Sequence, residues 1–449
     1  MSIASQEKQT LNDFLTAGPY VGYCYSYPHK TAYRSLPSES LASVWGQEEM
    51  DSLFLYVHVP FCEFRCGFCN LFTFSQPNSE VPRAYLATLR REAEAVRDAL
   101  PEAGLEQVAI GGGTPSYLDE RELTELFSVL EFVLKNNKFE RPVAMEVSPA
   151  TLTAKKLQLM KQFGVDRVSM GIQSWNEKDV GKLGRPQRNH QVLEAIDTIR
   201  MQDIERLNLD LIYGGAGQTV HSWIASIEAT LRHTPEEIYL YPLYVRPLTG
   251  LERRSSPAED IRLECYREGR DLLLSSGYEQ VSMRMFRRAS ASRSAAQEID
   301  YRCQDDGMIG LGCGARSYTS KLHYGSRYAV RQAGVGQIID EYIAQDSETL
   351  ATVRHGIQLD SEELRRRFLI LSLFLVEGFA LSDYKKRFGT ELFDDIPCLQ
   401  ELISEGLAEL DFGNLRLTPA GIEQSDAIGP WLYSDSVRQR MEAYSWETN

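Results

Sequence analysis

The 449-residue sequence has no uninterrupted apolar run near the roughly 20 residues that a membrane-crossing helix requires. Its opening, MSIASQEKQTLNDF, lacks the apolar centre of a secretory signal, so the chain is expected to stay in the cytoplasm. Positive charge is scarce: 48 Lys+Arg face 63 Asp+Glu, for a formal net charge of -15. That balance argues against broad binding of nucleic acid or anionic membrane, both of which need a basic surface. Cysteine is sparse as well, at 8 residues, with Cys24, Cys265, Cys303, Cys313 and Cys398 each standing alone. Scattered thiols suit a reducing compartment and exclude a disulfide framework.

The remaining three cysteines are clustered. VPFCEFRCGFCNLF (59–72) places Cys62, Cys66 and Cys69 in a C-x3-C-x2-C pattern with no fourth ligand nearby. Structural zinc wants four protein ligands. His58 precedes the loop on an expected strand, at a spacing unlike that of a zinc finger. The Cys66–Cys69 pair lacks the thioredoxin-like surroundings of a redox motif. A cubane iron–sulfur cluster has four iron corners, and three thiolates leave one iron open to a cofactor or substrate. The open-cornered cluster is the leading reading, with zinc and plain burial as its rivals.

Hydrophobic patterning alternates strand and helix from Leu53 onward. Strands are expected at 53–59, 107–113, 142–149, 166–174, 205–214 and 237–243. Helices are expected at 81–100, 120–134, 153–164, 189–202 and 219–233, with Gly164 ending its helix. Strict alternation implies right-handed crossovers and a parallel sheet, either open and doubly wound or a partial barrel. Beyond Pro247 the pattern gives a helix at 255–276, a strand at 277–286, a polar connection at 287–302 and a Gly-rich turn at 310–320. The last ninety or so residues read as three helices and a hairpin turning at Gly413-Asn414, a winged-helix arrangement. Residues 360–449 hold 9 Lys+Arg against 17 Asp+Glu, so duplex binding by this segment is not expected.

Several polar residues sit where a parallel α/β sheet builds its sites, toward the C-terminal ends of strands. Gly111-Gly112-Gly113 closes a strand and bares its backbone before Thr114. Glu146 is a carboxylate in the apolar context AMEV, where a ligand amine or hydroxyl would relieve its burial. Gln173, at the end of the fourth strand, can donate and accept, Arg185 follows a connecting helix, and Asp210 lies inside the core strand LNLDLIYG. Each taken singly also fits a salt-bridged structural role. Tyr239, Tyr241, Tyr244 and Trp175 can stack on a planar substrate or fill the core, and core packing is at least as good a reading. Cys303 and Cys313 read as buried thiols.

The cysteine pattern, with Phe68 before its last member, resembles the signature of the radical S-adenosylmethionine (SAM) enzymes. YVHVPFC (56–62), AIGGGTPSYL (109–118), DRVSMGIQSWNEKDVGKLGR (166–185), LNLDLIYGGAGQT (207–219) and GLGCGARSYT (310–319) are similar, in order, to the oxygen-independent coproporphyrinogen III oxidase family. The likeness runs from about residue 20 to 435. It implies a partial (β/α)6 TIM-type barrel with a small C-terminal winged-helix-like α+β domain. The expected segments are an arm at 1–50, the barrel at 51–250, an extension at 251–357 and the winged-helix domain at 358–449. By resemblance, Cys62, Cys66 and Cys69 hold a [4Fe-4S] cluster whose open iron takes SAM. Gly112, Gly113, Thr114, Glu146, Gln173, Arg185 and Asp210 orient SAM, with the glycine loop at its methionine end and Asp210 at its ribose. Tyr56 and Phe68 border the cluster and adenine. The implied reaction is one-electron cleavage of SAM to a 5′-deoxyadenosyl radical that abstracts hydrogen, fed by a donor such as flavodoxin or ferredoxin.

The substrate side departs from the family pattern. Porphyrinogen oxidases keep a further cysteine two residues after the third, where this chain has Leu71. The arm YCYSYPHKTAYR (23–34) is a variant, and the strand-five turn reads Gly214-Gly215-Ala216-Gly217. These departures point to a paralogue acting on a tetrapyrrole or a specialised metabolite. A methyltransferase using two SAM molecules, with the second at Gly310–Arg316, and a non-catalytic haem carrier are the alternatives.

Overall fold

The computed structural model describes residues 9–134, 142–252, 260–289 and 303–445. The chain forms two units: residues 33–278 with 287–358, and residues 1–32 with 279–286 and 359–444. The start of the expected helix at 255–276 and most of the connection at 287–302 lie outside the described residues.

In the larger unit, β1 (Arg34–Ser40) precedes β2 (Leu53–Val59), and the two-residue strands β3 (Phe61–Cys62) and β4 (Phe74–Ser75) follow. Next come β5 (Leu105–Gly112), β6 (Val143–Val147), β7 (Arg167–Gln173), β8 (Arg206–Tyr213) and β9 (Glu237–Pro242). β2, β5, β6, β7, β8 and β9 pair in that order, all parallel. Helices Glu80–Ala99, Glu120–Val133, Ala154–Phe163, Asn189–Met201 and Val220–Leu231 make the crossovers. This is the partial (β/α)6 barrel. Strand residues such as Leu55, Val57, Ile110, Val168 and Leu209 are essentially inaccessible, as burial on both faces of a parallel sheet requires. Helix starts are set locally. Asp119 caps the helix at Glu120 with a capping box through Glu122, and Gly164 ends its helix in the left-handed conformation.

The sheet extends beyond β2 in a way the sequence pattern did not foresee. The expected strand at 277–286 is two short strands, β10 (Tyr278–Gln280) and β11 (Met285–Arg288). The Ser282 hydroxyl breaks it by accepting from the backbone N–H groups of Arg284 and Met285. The Gly-rich turn at 310–320 proves to be a tight turn between β12 (Met308–Leu311) and β13 (Arg316–Tyr318). β12 runs parallel to β2, and β13, β14 (Leu322–Gly325), β15 (Thr352–Gln358) and β1 follow in antiparallel succession.

The smaller unit holds the winged-helix-like fold: helices Ser361–Leu373, Leu381–Phe388 and Leu399–Ser404, then a three-stranded sheet. That sheet orders β16 (Phe379–Ala380), β18 (Asn414–Leu417) and β17 (Ala408–Asp411). The hairpin turn is Phe412-Gly413 rather than Gly413-Asn414, because Asn414 pairs with Asp411. Both turn residues have positive φ, 46° and 83°, as a two-residue type I′ turn demands. Within this unit Arg284 and Asp426 form a buried ion pair, and Arg284 lies 3.8 Å over the Tyr23 ring.

Candidate active site

The cysteines ride on a loop closed at its neck and pinned at its middle. β3 and β4 run parallel beside each other at the neck, and the Thr114 N–H donates to the Phe61 carbonyl at 2.8 Å. The His58 Nε2 bonds the Phe72 carbonyl at 2.9 Å, and the Tyr328 hydroxyl donates to the Asn70 carbonyl. Halfway round, the Gly67 N–H donates to Leu183 O at 2.9 Å, while Gly67 O accepts from Leu251 N–H at 2.8 Å. A side chain at Gly67 would meet Leu183 O at 2.8 Å, so only glycine allows this approach.

The loop and the ends of β5 to β8 line an open cleft. Cys62, Cys66, Cys69 and Phe68 line one wall, and Gly112, Gly113, Thr114, Glu146, Gln173, Arg185 and Asp210 line the others. Eleven of the twelve residues singled out from the sequence therefore share one cavity. Tyr56 is not among its lining residues; its hydroxyl stands 3.4 Å from His58 Nδ1, behind the wall. Trp175 stays with the scaffold, stacking on His233 and donating to Thr230 Oγ1 at 2.9 Å. Tyr241 and Phe68 pack against the buried cluster of Leu183, Ile212, Leu243 and Leu251. Cys313 is a buried thiol.

The thiols have few partners. Thr114 Oγ1 lies 3.6 Å from Cys62 Sγ, Arg185 Nη1 lies 3.5 Å from Cys66 Sγ, and Thr73 Oγ1 lies 3.8 Å from Cys69 Sγ. Burial pushes the Cys62 thiol up to about 12 and raises Cys66 too, with Arg185 opposing the rise at Cys66. Thiols held neutral in this way need metal charge to become thiolates. Among the described residues, no three His, Cys, Asp or Glu side chains form a group able to hold one metal ion. Three soft thiol donors lining one cleft suit the iron corners of a cluster.

The opposite walls carry acid. Glu146 accepts from the Gly112 N–H at 3.1 Å. Desolvation deep in the cleft, followed by repulsion from Asp210, pushes its carboxyl up to about 7, although the side chain itself is open to the cavity. Burial raises Asp210 as well, against a hydrogen bond from Asn208. Neither acid has a salt-bridge partner among the described residues, so a ligand bearing an amine and hydroxyls would relieve both. Gly112 has φ +113°, and a Cβ there would meet the His58 ring at 2.7 Å, so only glycine fits where this cleft-lining turn packs against His58. Gln173 ends β7 at φ +64°, beside a register shift against β8, a strained position of the kind found at ligand sites. Arg185 is aimed by bonds to Gly171 O at 2.8 Å and Gln187 Oε1 at 2.9 Å. The donor set thus fits an iron–sulfur cluster and a zwitterionic nucleoside ligand.

Residues that the motifs did not flag also line the cleft, among them Glu63, Arg65, Thr73, Ser148 and Ser169. Leu71 lines it too and is 49% exposed. Glu63, Arg65 and Leu71 could have been found from their places within or beside the cysteine motif.

Residues 56–229 match the radical SAM superfamily, and residues 359–423 match the HemN C-terminal domain. The chain is 28% identical over 376 residues to the heme chaperone HemW of Bacillus subtilis, covering 82% of this chain and 95% of that one. It is 28% identical over 393 residues to the oxygen-independent coproporphyrinogen III oxidase of Pseudomonas aeruginosa, covering 82% and 83%. The structure of the coproporphyrinogen III oxidase HemN from Escherichia coli, a radical SAM enzyme, superimposes with a TM-score of 0.78 at 22% identity. That match covers 95% of this chain and 99% of the other, and it establishes the shared fold.

Proposed function

We propose that this chain is a radical SAM enzyme of the coproporphyrinogen III oxidase-like branch, which abstracts hydrogen from a small organic substrate. The observation that carries this reading is the single cleft. It joins the thiols of Cys62, Cys66 and Cys69 to Glu146 on β6, Gln173 at the end of β7, Arg185 beyond β7 and Asp210 on β8. When bound, the [4Fe-4S] cluster and SAM supply the electron transfer and cleavage that generate the 5′-deoxyadenosyl radical.

The chain's own residues bind, orient and exclude water. Cys62, Cys66 and Cys69 are proposed to hold the cluster, with their loop kept in shape by His58 and Gly67. The bare backbone at Gly112 and Gly113, with Thr114, takes the methionine end of SAM, and Arg185 faces its carboxylate. Glu146 accepts the cofactor amine or a hydroxyl, and Gln173 and Asp210 hold the sugar. Phe68, backed by the apolar cluster at Leu183, borders the adenine, and Tyr56 supports the wall from behind His58. Leu71 presents an apolar face at the cleft where a further cysteine would otherwise stand, so the substrate is met there by packing rather than by a thiol.

A haem-carrier reading has one specific support, the similarity to a heme chaperone over most of that protein. Product analysis separates the readings. Cluster-loaded protein incubated anaerobically with reductant, SAM and coproporphyrinogen III releases carbon dioxide if the substrate is this tetrapyrrole. S-adenosylhomocysteine formed alongside 5′-deoxyadenosine marks methyl transfer. A stoichiometric Soret band on adding haem, with no SAM consumed, marks the carrier and refutes the enzyme.

A further inference from the structure

Asn208 on β8 is a polar side chain at the heart of the barrel, only 1% exposed. Its side-chain NH₂ donates to Ser169 Oγ at 2.6 Å and to Asp210 Oδ1 at 2.7 Å. Its own Oδ1 is buried without a hydrogen-bond partner. A buried amide oxygen left unpaired is costly, so this orientation has a compensating cause. That cause is the carboxyl group: with the amide reversed, Oδ1 would face Asp210 Oδ1, oxygen against oxygen, in place of the hydrogen bond. Strand register builds the arrangement. Ser169 and Asn208 are direct partners across β7 and β8, and Gly171 pairs with Asp210 two residues nearer the cleft. Both Ser169 and Asp210 line the cleft, whereas Asn208 does not.

We propose that Asn208 is a positioning residue, which fixes the Asp210 carboxylate and the Ser169 hydroxyl in the orientation that receives the ribose hydroxyls of SAM. This rests on the proposed role of Asp210 in holding SAM. Asp210 accepts no other hydrogen bond among the described residues, so without Asn208 only longer-range charge would orient it. The charges that face it are Arg167 on β7, Arg185 beyond β7, Glu237 on β9 and Glu146 on β6. Arg167 is itself committed to Glu237 at 2.7 Å. Against the burial that raises the Asp210 carboxyl, the Asn208 bond is the largest opposing influence.

The test is SAM binding to anaerobically reconstituted, unreduced protein, measured by equilibrium dialysis and so independent of turnover. SAM and its 2′,3′-dideoxy analogue are compared on wild type and Asn208→Ala. The variant is expected to bind SAM about tenfold more weakly and to bind the dideoxy analogue within about twofold of wild type. The low-pH limb of its SAM binding is expected to move to higher pH, because the carboxylate loses the bond that favours its charged form. Ser169→Ala leaves Asn208 in place and is expected to weaken SAM in the same direction but less. It serves as the readout if Asn208→Ala does not fold. Equal loss for both ligands, unchanged SAM affinity, or an unmoved pH limb would overturn the proposal. Wild-type protein that carries a cluster yet fails to bind SAM would instead overturn the cofactor reading on which it rests.

Discussion

Glu146 faces two opposed demands. In the ligand-free protein its carboxyl titrates near 7 rather than at its ordinary 4.5, so ionising it in the fold is unfavourable. A carboxyl raised in this way contributes stability that is complete below its unfolded value and is lost as pH rises through its folded value. Glu146→Gln is therefore expected to stabilise the ligand-free protein above pH 7, with the gain vanishing toward pH 4.5. Thermal melts of both proteins across that range check this. The same substitution is expected to weaken SAM binding, since a site strained when empty is relieved by its ligand. Gly112→Ala is expected to abolish SAM binding, because its Cβ would strike His58 and its φ of +113° is one that side chains rarely adopt. The cysteines, the three glycines and Arg185 were legible from sequence because contiguous motifs carry them. Asn208 and Ser169 were not, since a lone polar residue inside a strand says nothing until cross-strand register shows what it faces.

The cysteine loop is the element on which the proposed chemistry depends, and its middle hangs on Gly67. Gly67→Ala would drive a methyl group into the Leu183 carbonyl and displace the segment between Cys66 and Cys69. Iron content after reconstitution is expected to fall well below that of wild type; full loading would show that the pinning does not shape the site. In the smaller unit, the Arg284–Asp426 pair is buried, with side chains 7% and 2% exposed. Asp426→Ala removes the carboxylate that pairs with the buried Arg284 and is expected to cost about 3–5 kcal/mol by chemical denaturation. The barrel strands and crossover helices were readable because their apolar periodicity is strong. β1 was not, since RSLPSES is a mostly exposed edge strand with no alternating apolar face. The hairpin was found but its turn misplaced by one residue. Asn and Gly both favour positive φ, and the pattern did not reveal that Phe412 takes it instead.

For the whole molecule, the parallel barrel positions the site and the charge distribution limits its partners. Residues 360–449 carry a winged-helix-like fold but 17 acidic residues against 9 basic ones. No shift of duplex DNA is expected in gel assays, even at low ionic strength where phosphate contacts are strongest. The residues that share the cleft were legible because they follow successive strands in order. Substrate identity was not, because it depends on cavity shape and on single replacements such as Leu71. The central claim is that the cleft binds a cluster and SAM in order to cleave SAM. The decisive measurement is 5′-deoxyadenosine formed when anaerobically reconstituted, dithionite-reduced protein is given SAM. The nucleoside is expected from wild type and not from Cys62→Ala, Cys66→Ala or Cys69→Ala; cluster-loaded wild type that binds SAM and yields none would contradict the claim.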